Sequence, residues 1–124
     1  MLAGADLQRL RSIRARAGGR EACGLLLTDG DALRLVEVAN RAPDPTSAFL
    51  LDRDALLAAA HDGTLRGCWH THPTDSAVPS PDDLASMAAW PDLVYVIVGA
   101  RVRAWRWTPD GAVECPGLLS SARP

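Results

Sequence analysis

Apolar residues along the chain change period several times, and each change marks an element. Between Ala5 and Ala17, Leu7, Leu10, Ile13 and Ala17 recur every three or four positions, which predicts an amphipathic helix closed by Gly18 and Gly19. Ala22–Thr28 and Ala32–Val38 are apolar runs joined by Asp29, Gly30 and Asp31, the turn chemistry of a hairpin. A loop carrying Pro43 and Pro45 follows, then a short strand expected at Phe49–Leu51. Asp52 caps a second predicted helix whose apolar side is Leu56, Leu57 and Ala60, and Gly63 ends it. Arg66–His72 reads as a strand broken by Pro73. After a loop, Ser80, Pro81 and Asp83 spell a helix start: an N-cap, a proline in the first turn, and an acid three residues after the cap. That helix runs to about Trp90. Two strands, Leu93–Val98 and Arg101–Trp107, and a weaker one near Ala112–Cys115 complete an α/β layout with a mixed sheet flanked by helices.

Length and composition narrow the class. A chain of 124 residues, 48% hydrophobic, is expected to form one domain over 1–124. No apolar run approaches the roughly 20 residues that span a bilayer, and the opening MLAGADLQRL lacks the basic-then-apolar plan of a signal peptide, so a cytoplasmic protein without a membrane partner is expected. A formal charge of −2 gives no general attraction for phosphate backbones, which argues against a nucleic-acid partner. Arg9, Arg11, Arg14, Arg16 and Arg20 crowd the first helix and read as a solvated face, with a docking surface for an acidic partner as the sharper alternative. Cys23, Cys68 and Cys115 are odd in number and form no CxxC pair, which excludes a disulfide framework or a zinc ribbon and leaves small buried residues as the plain reading. His61, at a helix end, reads as structural.

The chemistry gathers in two places. His70 and His72 stand one residue apart on a predicted strand, so both imidazoles project from one face while Thr71 points the other way. Asp83, in the first turn of the following helix, can fold back onto the strand end. Two imidazoles, one carboxylate and an open position are what hydrolytic zinc requires. Each residue also has a plainer reading: His70 and His72 as a polar strand end, Ser80 and Asp83 as a capping box. Other folds built on HxH are excluded, since an amidohydrolase barrel needs about 250 residues, a nucleobase deaminase needs a PCxxC pair, and the HxHxD continuation is replaced by Pro73-Thr74. Cys68 shares the parity of the two histidines and Cys23 that of Glu21, so either can line the site, with packing as the plainer role.

Taken together, His70-Thr71-His72-Pro73, five residues, Pro79-Ser80, two residues and Asp83, preceded about fifty residues upstream by Glu21-Ala22-Cys23-Gly24-Leu25-Leu26, resemble the signature of the JAMM (MPN-plus) zinc metalloproteases. The resemblance implies the cytidine-deaminase-like MPN fold, with His70, His72 and Asp83 as zinc ligands, Glu21 as general base and then acid, and Ser80 helping to hold the oxyanion. It also implies a peptidase or isopeptidase that cuts after the C-terminal Gly-Gly of a ubiquitin-like or sulfur-carrier protein. A peptidase of the phage-tail type, whose pattern adds an asparagine after the ECGL strand as Asn40 is placed here, and a non-catalytic scaffold or metal-binding module are the alternatives. The Phe49 strand and the Arg101–Trp107 strand are the expected edges on which an extended substrate tail could lie, with Trp105 and Trp107 expected in the core.

Overall fold

The computed structural model describes residues 2–119. Helix α1 spans Gly4–Ala17, and its close is set by Gly18 at φ 63°, in the left-handed region where glycine carries no Cβ penalty. Strands β1 (Cys23–Asp29) and β2 (Ala32–Val38) form the expected hairpin, with Gly30 at φ 63° in the first of two loop positions. Helix α2 covers Arg53–His61, capped by Asp52 accepting from the Ala55 amide, and strand β3 covers Leu65–Thr71. Helix α3 (Pro81–Ala89) is followed by β4 (Val94–Val98), β5 (Val102–Thr108), β6 (Gly111–Glu114) and a short 3₁₀ turn at Pro116–Leu118.

The six strands make one mixed sheet in the order β2-β1-β3-β4-β5-β6. β1 lies antiparallel to β3, and β3 runs parallel to β4. A parallel pair needs a crossover connection, and α3 supplies it, so the N-terminal end of α3 comes over the C-terminal end of β3. In sheets of this kind that end of the strands is where ligands bind.

Strand parity divides β3 between two environments. Trp69 faces α1, within a core of Leu10, Ile13, Leu26, Leu35, Val96, Val98 and Ala104. Its indole lies over Gly24, where a Cβ would come within 2.5 Å of the ring and 2.0 Å of the Val36 carbonyl oxygen, so the glycine of the ECGL stretch is a packing requirement. On the other face Cys68 packs with Met87 and Tyr95, against which Trp105 and Trp107 lean, half-buried.

Three expectations are corrected. Phe49–Leu51 forms no strand, because the side chain of Asn40 takes the Leu50 amide and the Arg41 amide takes the Leu50 carbonyl. β5 is not an edge, since β6 pairs along it. Trp105 and Trp107, expected in the core, are only half-buried. The arginines near α1 do form a largely solvated face, with Arg9, Arg11, Arg16 and Arg20 exposed; Arg14 alone is half-buried and reaches the loop after β3. Among the described residues, no helix is long and apolar enough to cross a membrane.

Candidate active site

The two histidines arrive at one point because β3 alternates. His70 sits on the face opposite Trp69, and His72, one residue past the strand's last ladder position, still donates its amide to the Val98 carbonyl at 2.9 Å and so keeps strand geometry. Their Nε2 atoms lie 3.0 Å apart. Asp83 closes the group, with Oδ1 3.2 Å from His70 Nε2 and Oδ2 3.0 Å from His72 Nε2. Asp83 is held by reciprocal capping bonds: its amide donates to Ser80 Oγ at 3.1 Å, and the Ser80 amide donates to its Oδ2 at 2.9 Å. The capping box and the acidic cluster are therefore one structure, and the choice between them posed by the sequence does not arise.

Glu21 comes from the opposite side, just ahead of β1. Its carboxylate and the two imidazoles bring three ligand atoms within 4.8 Å of one another. Thr71, between the histidines but facing away, fixes this approach, because its hydroxyl accepts from the Ala22 amide and its own amide donates to the Ala22 carbonyl, both at 2.9 Å. All five residues singled out from the sequence are thus brought together, four of them buried: Glu21 8% exposed, His70 1%, His72 8% and Asp83 6%. Ser80 is half-buried at the rim, where its oxygen accepts as an N-cap while its proton stays available to donate.

The loop after the histidines is pinned from several directions. Arg14 Nε donates to the His72 carbonyl at 2.9 Å and its Nη2 to the Thr74 carbonyl at 2.9 Å. Trp105 Nε1 donates to the Ala77 carbonyl at 3.0 Å. His72 Nδ1 stands 2.8 Å from the Ser76 carbonyl, an acceptor that keeps a proton on Nδ1 and aims Nε2 at Asp83 and His70. His70 is sandwiched by Phe49, ring centroids 4.1 Å apart and planes inclined by 18°.

Burial in this confined space reshapes the charges. Desolvation pushes the Glu21 carboxyl up to about 7, opposed by His72 and reinforced by Asp83 and Asp82. Asp83 is also penalised by burial, but its bonds to His70 and His72 outweigh that and hold it well below the usual carboxylate range. Burial lowers the His70 pKa. For His72 burial again opposes charge, and the Asp83 bond, the Ser76 carbonyl and Glu21 overcome it and raise the pKa.

The donors fit one small divalent ion. A tetrahedral ion with bonds of about 2.0–2.2 Å sets its ligand atoms about 3.3 Å apart; the two Nε2 atoms are 3.0 Å apart, one Asp83 oxygen lies 3.2 Å from His70 and the other 3.0 Å from His72. Two imidazoles and a carboxylate are the donor types such an ion takes, each in its deprotonated form. His70 Nδ1 has no hydrogen-bond partner, so nothing but the Nε2 side anchors this ring's polar chemistry. Cys68 and Cys23 do not join the ligand atoms. Burial raises both thiol pKa values, that of Cys23 to about 12, so both behave as packing residues. His61 sits exposed at the end of α2, away from the cluster.

Reading the sequence missed four contributors: Arg14, Asn40, Phe49 and Thr71. Thr71 carried a signal, as the residue forced by parity to face away from the histidines, and Asn40 another, as the asparagine that follows the ECGL strand. Arg14 and Phe49 reach the site from segments distant in the chain.

Comparison with known proteins agrees with this geometry. The family described as prokaryotic homologs of the JAB domain matches residues 5–108. A protein of Thermus thermophilus named "Probable TtuB-protein conjugate cleaving protease" is 34% identical over 111 residues, covering 85% of this chain and 73% of that protein. The solution structure of protein DSY2949 from Desulfitobacterium hafniense superposes with a TM-score of 0.74 at 27% identity, covering 92% of this chain and 88% of the other. The match extends from the first helix through β5 and takes in both halves of the motif, and the chain belongs to the prokaryotic homologs of the JAB domain, the small prokaryotic JAMM-type proteins.

Proposed function

We propose that the protein is a zinc-dependent peptidase or isopeptidase that hydrolyses the bond following the C-terminal Gly-Gly of a ubiquitin-like or sulfur-carrier protein. The observation that carries this reading is the convergence of His70, His72 and Asp83 at 3.0–3.2 Å with Glu21 facing them from the segment just ahead of β1. In it, His70, His72 and Asp83 hold the ion, Glu21 is the general base and Ser80 assists the oxyanion. Zinc bound there supplies Lewis-acid polarisation of the scissile carbonyl and lowers the pKa of a water nucleophile toward neutrality.

The remaining steps belong to the chain. Glu21 takes a proton from the attacking water and returns it to the departing amine, so one carboxyl group serves as base and then as acid. A carboxyl whose burial lifts it toward neutral pH suits both halves of that exchange. The Ser80 hydroxyl donates to the carbonyl oxygen as negative charge grows on it. Asp83 keeps its position through the Ser80 bonds, and His72 keeps its tautomer through Ser76.

Burial also favours a glycine-ended substrate. With Phe49 stacked on His70 and every metal-facing residue under 9% exposed, a backbone without side chains approaches the cluster most easily. Beside His70 a cavity of about 330 Å³ lies between the Phe49–Leu51 segment, Leu56 and α3, with Cys68 and Tyr95 as its floor. An extended tail passing Phe49–Leu51 would set an apolar side chain there and its terminal glycines at the histidines. The name of the Thermus thermophilus relative supports a protein conjugate as the substrate class.

The test incubates zinc-loaded protein and its Glu21→Gln variant with sulfur-carrier proteins extended beyond Gly-Gly, with products read by mass spectrometry. Cleavage directly after Gly-Gly by the parent chain alone is the expected result. Full zinc occupancy without cleavage of any extended carrier would instead make the protein a non-catalytic metal-binding module.

A further inference from the structure

Asn40 stands at the end of the β1–β2 hairpin, outside the metal-facing cluster, yet it is the most fully engaged side chain near it. Its Nδ2 donates to the Glu21 carbonyl at 2.8 Å and to the Ala48 carbonyl at 3.1 Å. Its Oδ1 accepts from the Ala42 amide at 2.9 Å and the Leu50 amide at 3.0 Å. An asparagine amide offers two donors and an oxygen with two acceptor sites, and all four are used. The orientation is fixed, because a flipped amide would face N–H against N–H and oxygen against oxygen.

The four partners connect two parts of the site. Ala42, Ala48 and Leu50 belong to the loop between β2 and α2, whose ends are further joined by the Arg41 amide donating to the Leu50 carbonyl at 2.8 Å. That loop supplies the Pro45 carbonyl that accepts from the Glu21 amide at 2.6 Å, and it delivers Phe49 onto His70. Both backbone polar groups of Glu21 are therefore taken by this one loop, the amide by Pro45 and the carbonyl by Asn40. Its neighbour Ala22 is held separately, by Thr71.

We infer that Asn40 is a positioning residue that locks the Glu21 backbone to the loop carrying Phe49, so that the carboxylate and the covered face of His70 are set in one rigid frame. The inference rests on the reading of Glu21 as the general base and adds how Glu21 is aimed. No other residue type supplies the frame: aspartate has the acceptors without the donors, glutamine is one methylene too long, and serine has a single donor. Asn40→Asp separates the two halves of the role. It keeps the acceptors that close the loop on Ala42 and Leu50 while removing the donors to Glu21 and Ala48 and setting a carboxylate oxygen against those carbonyls. Asn40→Ala removes all four bonds without adding a buried charge, and serves if the aspartate variant does not fold.

The experiment compares parent, Asn40→Asp, Asn40→Ala and Glu21→Gln as zinc-loaded full chains. Three quantities are read: kcat and KM per folded molecule on the extended carrier, zinc affinity by chelator competition, and the ¹³C resonance of the Glu21 carboxyl carbon. The expected result for Asn40→Asp is a fall of about 10-fold or more in kcat, as misplacement of a catalytic group by a fraction of an ångström produces. KM and zinc affinity should stay within about threefold of the parent, since His70, His72 and Asp83 are carried by β3, its end and α3 rather than by this loop. The Glu21 carboxyl resonance should move in both Asn40 variants. A residue important only for folding would lower the melting temperature and leave kcat per folded molecule and the Glu21 resonance in place, and that outcome overturns the inference. An unmoved resonance overturns it even where no carrier is cleaved. A fully active Glu21→Gln variant would sink the general-base reading, a result distinguishable because the resonance test of Asn40 stands apart from turnover.

Discussion

The two faces of the central sheet solve opposite problems with the same strands. Toward α1, Leu26, Trp69, Val96, Val98 and Ala104 meet Leu10 and Ile13, and the stability of that face comes from apolar area removed from water. Toward α3, the neighbours of Trp69 on either side are Cys68 and His70, and the burial there includes two imidazoles and a carboxylate that satisfy one another at 3.0–3.2 Å. The first face tolerates no loss of volume. The second tolerates no loss of partner, because a buried polar group left unpaired costs more than a typical hydrogen bond contributes. The proposed site sits on the second face, where the groups answer to one another rather than to a packed core, and the first face holds the backbone in the register that makes this possible.

The largest effect that breaks the comparison is Trp69→Ala. Removing this fully buried indole should cost about 3–5 kcal/mol, read from the urea midpoint, and should reduce activity only in proportion to unfolded chain. Glu21→Gln is its counterpart on the other face. It should lower kcat about 10²–10⁴-fold, close to 3–5 kcal/mol of barrier, while the far-ultraviolet circular dichroism spectrum stays that of the parent. If Trp69→Ala damaged kcat per folded molecule as severely, the division between a supporting face and a working face would fail.

Titration of the metal-free chain sharpens the contrast, because among the described residues the buried ionisable groups lie on the second face. Glu21 has a folded pKa raised from 4.5 to about 7, so its contribution to stability is fully present below about 4.5 and is lost as pH rises through 7. A displacement of that size corresponds to a loss on the order of 3 kcal/mol. Asp83 has the opposite sign: its folded pKa is depressed, so its contribution is present above the ordinary carboxylate value and is lost on acidification. Denaturant melts between pH 4.5 and 7 should fall more steeply for the parent than for Glu21→Gln. Parallel curves for the two chains would remove Glu21 from the set of buried titrating groups.

The smallest effect expected is that of Ser80→Ala. Loss of the cap on α3 should cost about 1 kcal/mol in chemical denaturation. Its effect on turnover decides whether the hydroxyl does more than cap. Removal of an oxyanion donor lowers kcat about 10²-fold or more, so a variant that loses its capping stability with kcat intact would assign Ser80 to Asp83's position alone.

Much of this was legible before folding. Periods of 3.6 and 2 placed α1, the β1–β2 hairpin and β3 within a residue or two, because these elements bury one continuous face and the pattern of burial is written in consecutive positions. The His70–Thr71–His72 spacing fixed the side on which both imidazoles fall, and the Ser80–Pro81–Asp83 sequence fixed the start of α3. The Phe49–Leu51 segment was misread as a strand because its residue types suit one, while what decides a strand is a partner, and here Asn40 and Arg41 take the Leu50 backbone groups. The arginines near α1 are mostly solvated, as their crowding suggests, but composition does not show that the carbonyls of Leu35, His72 and Thr74 lie within reach of two of them.

The sequence by itself determined the donor set and the local geometry of each half of the site, since strand parity and helix capping act over a few residues. Only the tertiary structure decided that Glu21 meets histidines some fifty positions away, that Phe49 covers His70, and that Asn40 and Thr71 hold the Glu21 segment from two sides. Those contacts depend on the order β2-β1-β3 in the sheet and on a loop closed by side-chain amide bonds. No periodicity encodes them, because hydrogen bonds between distant segments leave no repeating mark along the chain.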